Sequence, residues 1–82
     1  MQEHGSLILF GNRFIYEVTV LSKKSKLGLR NGRISKLQVV KDKGREPWIP
    51  ENMIIDFDGK WRIRPQTEVE KLVLKYITAK YN

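Results

Sequence analysis

From Arg13 to Leu21 the chain alternates, with Phe14, Tyr16, Val18 and Val20 on one face and Glu17 and Thr19 on the other. Period-two alternation of β-branched and aromatic residues marks a half-buried strand. The apolar run Leu7 to Phe10 predicts a partner strand. Gly11-Asn12 between the two runs predicts a two-residue hairpin turn, because glycine tolerates the positive φ such turns demand. A third strand is expected from Arg33 to about Lys41, with a phase fault: Leu37 and Val39 share one face while Ile34 and Val40 fall on the other. A β-bulge near Ser35-Lys36 would bring Ile34 into phase, and burial of both faces would account for the pattern equally well. Met53 to Phe57 and Lys60 to Arg64 predict strands four and five, joined by an Asp58-Gly59 type I′ turn. Trp61 and Ile63 are expected to face inward, leaving Lys60, Arg62 and Arg64 together on the outer face.

After Pro65 the periodicity changes. Thr67-Glu68-Val69-Glu70 fits a capping box, and both glutamates sit at the positive end of the helix dipole. Val69, Leu72, Val73, Tyr76 and Ile77 then recur at helical spacing and predict one apolar stripe, with Lys71, Lys75, Thr78 and Asn82 on the far side. Leu74 and Tyr81 widen the stripe, which fits either a second contact, such as a homodimer through these two residues, or a small domain that wraps a broad helix. Two connections remain. Ser22 to Gly32 reads as an exposed basic loop with a short extended piece around Leu29. Asp42 to Glu51 carries Pro47 and Pro50, so Trp48 and Ile49 are expected to fold back as a plug over the core edge.

The expected fold class is α+β: a small antiparallel sheet of four to five strands packed on one C-terminal α-helix. Eighty-two residues make a single domain, 1–82, with residues 1–5 expected to be disordered. A chain of this length buries roughly 60–65% of its unfolded surface, so it has one core. There is no cysteine, which removes disulfides and thiolate metal sites. No export signal and no run near the roughly 20 apolar residues of a membrane span are evident. A cytoplasmic protein without a membrane role is expected.

Charge changes the picture most. The net charge is +7, and the stretch from Ser22 to Arg45 holds nine basic residues against Asp42 alone, so its own charge of +8 exceeds the total. Clustered Lys and Arg are the footprint of phosphate-backbone binding. The candidate nucleic-acid-binding residues are Lys23, Lys24, Lys26, Arg30, Arg33, Lys36, Lys60, Arg62 and Arg64. The competing reading is a solvated, lysine-rich surface. Phe14, Tyr16, Trp48 and Trp61 read as core or plug residues, not as stacking platforms for single strands.

The catalytic inventory is thin. His4 is the only histidine, it lies in the expected tail, and no positioned partner stands beside it. Asp56 and Asp58 form an Asp-x-Asp pair that reads better as a turn residue and an outward strand residue than as a metal site. Gly28 and Gly32 lack the Lys-Ser/Thr and the following helix of a phosphate loop. No catalytic residue, metal or cofactor is assigned, and the protein is expected not to be an enzyme.

The stretch Ser25-Lys-Leu-Gly-Leu-Arg-Asn-Gly-Arg-Ile-Ser-Lys-Leu37 resembles a family of small uncharacterised proteins of Gram-positive bacteria, their phages and mobile elements. Gly32 to Leu37 is its most specific block. Asp58-Gly-Lys-Trp61, Pro65 and the terminal Tyr81-Asn82 match the later parts of the pattern; Gln38 and the spacing of Asp-Gly-Lys-Trp depart from it. The resemblance implies a bacterial or phage origin and supplies no site. The order of four strands and a helix is also similar to that of PC4-like single-stranded DNA-binding proteins, an analogy of fold that carries no function by itself. Together these readings predict a non-enzymatic accessory protein that binds nucleic acid. A protein-interaction module, phage-borne or host-modulating, is the alternative.

Overall fold

The computed structural model describes residues 1–82. Five strands form one antiparallel meander in sequential order: β1 (Gln2–Leu9), β2 (Asn12–Val20), β3 (Ile34–Lys41), β4 (Met53–Asp58) and β5 (Trp61–Ile63). One helix, α1 (Glu68–Tyr81), closes the inner face. The fold is the α+β architecture expected. Phe14, Tyr16, Val18 and Val20 are all buried, as their alternation requires.

The N-terminal residues differ from expectation. Gln2 to Gly5 belong to β1 and pair with Thr19 to Tyr16, where a disordered tail was expected. The reason is Tyr16. Its ring lies over Gly5, its direct cross-strand partner, and a Cβ at Gly5 would overlap the ring and hydroxyl. Glycine in a strand often marks such a close approach. The hairpin turn also sits one residue earlier than the Gly11-Asn12 pair suggested. Leu9 pairs with Asn12, and Phe10 (φ 52°) and Gly11 (φ 78°) form the two-residue connection, both left-handed.

In β3 both explanations of the phase fault operate. Thr19 pairs with Lys36 and Val20 with Ile34, so Ser35 is the extra residue of a bulge. That shift buries Ile34 beside Leu37 and Val39, and the Ser35 hydroxyl donates to the Thr19 carbonyl at 3.3 Å. Val40, paired with Ile15 on the other face, is buried as well. Trp48 and Ile49 are not a plug; both are more than a third exposed. Asn52 is the buried residue of this connection, its amide donating to the Pro47 carbonyl at 3.2 Å.

The helix starts as its sequence demands. The Thr67 hydroxyl accepts from the Glu70 amide at 3.1 Å, and the Glu70 carboxylate accepts from the Thr67 amide at 3.3 Å. The buried stripe is rotated from the one predicted. It runs through Val73, Leu74, Ile77, Thr78 and Tyr81, with Val69 packed at its edge. Leu74 and Tyr81 are therefore core residues and not surplus, while Leu72 and Tyr76 face outward at 42% and 54% exposure. Tyr81 is drawn inward by Tyr16: the two hydroxyls are 3.0 Å apart and the rings meet edge to face at 5.9 Å. Burying such side chains contributes roughly 1.5–3 kcal/mol each, enough to fix the rotation of a fourteen-residue helix.

Candidate functional site

The basic stretch does not form one face. Its first part, Ser22 to Gly32, folds back on itself through a hydrogen bond from the Ser25 amide to the Gly32 carbonyl. It ends in a short 3-10 turn, Leu29–Asn31, with Leu29 buried where an extended piece was expected. Arg30 (φ 53°) and Asn31 (φ 56°) are left-handed, a conformation that costs a non-glycine residue roughly 1–2 kcal/mol. Asn82 offsets that cost. Its side-chain oxygen accepts from the Arg33 and Ile34 amides at 3.0 and 3.1 Å, and its amide donates to the Leu29 carbonyl at 3.1 Å. Gly32 is glycine because a Cβ there would collide with the Asn82 carboxamide. The end of α1 thus clasps the loop.

β5 is also bulged. Asp56 pairs with Ile63 and Phe57 with Trp61, which makes Arg62 the extra residue. Trp61 lies on the inner side with Phe57, their rings edge to face at 5.3 Å, whereas Ile63 sits on the outer side with Asp56. The expected stripe of Lys60, Arg62 and Arg64 is therefore broken. Arg62 lies 3.6 Å from Asp58 on an exposed ion pair. Arg64 turns toward the helix side, its guanidinium carbon 5.5 Å from the Trp61 ring centroid. Acidic residues stand among the cations of the outer sheet face. Lys36 stands opposite Asp58 and Gln38 opposite Asp56 in the register, and His4 lies 3.8 Å from Glu17.

What the fold does assemble is a pocket at the β5 end of the sheet, about 530 Å³ in volume. Arg30, Arg64 and Lys71 surround it; Leu29, Phe57, Trp61, Pro65 and Leu74 supply its apolar walls, and no carboxylate lines it. Ligand pockets run from roughly 300 to 1,000 Å³, apolar with a few placed polar groups. Arg30 and Arg64 belong to no ion pair, and Lys71 lies 3.6 Å from the highly exposed Glu68, a pairing that contributes little in water. Of the nine residues proposed from sequence, only Arg30 and Arg64 line this pocket. Lys23, Lys24 and Lys26 are on the loop that carries Arg30, Arg33 is engaged through its Nε with the Leu21 carbonyl at 2.9 Å, and Lys36, Lys60 and Arg62 lie elsewhere.

The helical spacing puts Lys71 on the far side of α1, so the sequence does not single it out as a site residue. The signal was present in the short Arg64-to-Thr67 connection, which holds the first helical turn beside β5. Asp56 and Asp58 do not converge with a third acid or histidine, and no such cluster exists in the chain.

A second feature lies on another side of α1. Leu9, Phe10, Leu72, Lys75, Tyr76 and Ala79 line a shallow, mostly apolar depression of about 380 Å³. Phe10 is 75% exposed there, in a left-handed conformation that favours Gly or Asn.

The fold and site define a small α+β domain: an antiparallel meander closed by one helix, with a cationic pocket built on an aromatic floor. The chain belongs to the family described as a domain of unknown function, DUF7678, whose model matches residues 1–82. No curated protein and no solved structure matches it. No helix is long and apolar enough to cross a membrane.

Proposed function

We propose that this protein is a non-enzymatic, cytoplasmic accessory protein of bacterial or phage origin that binds nucleic acid through the pocket end of the sheet. The observation that carries the reading is the convergence of Arg30, Arg64 and Lys71 on a pocket without a carboxylate. Two guanidinium groups without an acidic partner, beside a lysine whose exposed pair with Glu68 contributes little in water, favour a polyanion, and guanidinium groups suit phosphate by geometry as well as charge. Lys23, Lys24 and Lys26 extend the positive surface along the loop that carries Arg30. The bacterial or phage setting rests on the resemblance carried by Gly32 to Leu37.

Fluorescence polarisation with labelled oligonucleotides at about 50 and 200 mM salt tests the reading, since phosphate contacts weaken steeply over that range. Binding at low salt that fades at high salt supports it. Absence of binding at low salt refutes it.

A second reading is a protein-interaction module, favoured by one observation: Phe10 occupies a strained turn position yet presents its ring to solvent beside Leu72 and Tyr76. Strain kept at an exposed aromatic residue points to use by a partner. Leu74 and Tyr81 no longer motivate a homodimer, because both are packed inside the monomer.

A further inference from the structure

We infer that the pocket receives one unstacked nucleotide: its base lies among Trp61, Leu29, Pro65 and Leu74, and its phosphates meet Arg30, Arg64 and Lys71. The inference rests on the nucleic-acid reading and sharpens it to a preference for single strands. A phosphate-only site needs charge and no depth. Here the cations rim a concave space of about 530 Å³ whose walls are five apolar side chains, so a purely ionic occupant would leave most of the lining unused. A base inside a duplex presents only its edges, whereas an unpaired base presents a flat face that aromatic and guanidinium groups accept. Arg64, its guanidinium carbon 5.5 Å from the Trp61 ring centroid, joins the two chemistries: it lies over the indole at cation–π distance and belongs to no ion pair, so its N–H groups remain available to phosphate.

The placement of Arg30 adds an independent argument. Its backbone is left-handed and the turn around it is held by Asn82. A lysine-rich solvated loop has no need of that conformation, and strained residues of this kind concentrate at ligand sites. The nucleotide can come from within a single strand or be free in solution. The chemistry is shared, and the experiment separates the two sources.

The chain has two tryptophans, and Trp48 lies in the β3–β4 connection away from the pocket lining. In the Trp48→Phe variant, Trp61 is the sole indole reporter. Its emission is titrated with thymidine oligonucleotide, with a duplex of equal length, and with thymidine monophosphate, while polarisation of labelled DNA reports total binding. The expected result is quenching of Trp61 by the single strand at concentrations about tenfold or more below those needed for the duplex. Saturable quenching by the monophosphate at similar concentration would identify a free nucleotide as the occupant. Weaker quenching by the monophosphate would identify the strand. In Trp61→Phe, the remaining Trp48 emission should stay constant while single-strand affinity falls about tenfold. If polarisation rises but Trp61 emission is unchanged, or if duplex binds as well as single strand, the pocket inference fails and phosphate binding stands. If polarisation does not rise even at low salt, the nucleic-acid reading fails; if the monophosphate then leaves Trp61 emission unchanged as well, the pocket inference fails with it.

Discussion

The carboxamide of Asn82 accepts from the Arg33 amide at 3.0 Å, so the residue that follows the helix holds the residue just before the third strand, forty-nine positions away in sequence. The same side chain serves the Ile34 amide and the Leu29 carbonyl. Two backbone amides, and the Leu29 carbonyl that also accepts from the Gly32 amide at 3.0 Å, are served by one carboxamide. Asn82→Ala should therefore destabilise the fold by about 1–3 kcal/mol, because removing one partner leaves the others unpaired. Urea unfolding measures the loss, and amide exchange at Ile34 should speed up more than exchange at Val39. An effect below about 0.5 kcal/mol would show that water replaces the clasp.

Gly5 and Tyr16 form a second coupling. A Cβ at Gly5 has nowhere to go unless the tyrosine ring moves, and that ring is held by Tyr81. Gly5→Ala should cost about 1–3 kcal/mol, in the range of overpacked core substitutions. Combined with Tyr16→Leu, which removes the obstructing atoms, the double variant should be less destabilised than the sum of the two single ones by at least about 0.5 kcal/mol. Additive costs would place the Gly5 requirement elsewhere.

Tyr81 gives a pH dependence with a definite sign. Burial, and then the hydrogen bond with Tyr16, push its phenol well above the usual tyrosine value, with smaller contributions from the charges of Tyr16, Glu3 and Tyr76. A group raised in the folded state contributes stability that is fully present below its unfolded pKa, near 10, and is lost as pH rises beyond it. From pH 8 to 9 this contribution should be constant. Above pH 10 it should decline with a slope approaching about 1.4 kcal/mol per pH unit. Lysines also titrate there, so the decisive quantity is the difference between the protein and Tyr81→Phe in parallel urea titrations. A difference that does not change between pH 9 and pH 11 would remove the phenol as its source.

The strand pattern was legible because alternation in Arg13 to Leu21 reports burial directly, and the capping box because it is a local hydrogen-bond code. The Ser35 bulge was legible as one of two options, since a phase fault does not say whether the strand slips or both faces are covered. Three features were not local. The Arg62 bulge turns Arg64 to the helix side through pairing with β4, which no pattern in three residues encodes. The helix rotation is set by Tyr81 meeting Tyr16, a contact across sixty-five positions. Gly5 looks like part of a tail in sequence because the reason for it, Tyr16, lies on the neighbouring strand. The site followed the same division: Arg30 and Arg64 could be named as basic residues, while their convergence with Lys71 depends on that bulge and on the Asn82 clasp.

Phe10 reverses the usual expectation for a mutation. It is left-handed at φ 52°, largely exposed and outside the buried cluster. Asn adopts this conformation more readily and is favoured at the first position of such a turn. Phe10→Asn should therefore stabilise the isolated protein, by about 0.5–1 kcal/mol on the scale of other conformational substitutions in turns. Thermal unfolding measures the gain. A loss instead would mean that the ring packs against Leu72 and Tyr76 strongly enough to outweigh the strain, and would weaken the case for a partner at that depression.

The pocket cations can be separated from the remaining basic residues by salt. Each Lys or Arg that neutralises a phosphate of a single strand steepens the fall of log affinity with log salt by about 0.7. Arg30→Gln, Arg64→Gln and Lys71→Gln should each lower the slope by about that amount and weaken binding at fixed salt. Arg62→Gln and Lys36→Gln should change neither appreciably, because Arg62 is already beside Asp58 and Lys36 stands opposite it. Polarisation titrations of the five variants at four salt concentrations give the slopes. Equal losses in all five would mean that binding follows the overall charge of +7 and not the pocket. Because Lys71 makes only an exposed pair with Glu68, its replacement is the cleanest arm: a change of slope there that exceeds those of Arg62→Gln and Lys36→Gln, with the unfolding midpoint unmoved, marks the loss of a contact with the nucleic acid.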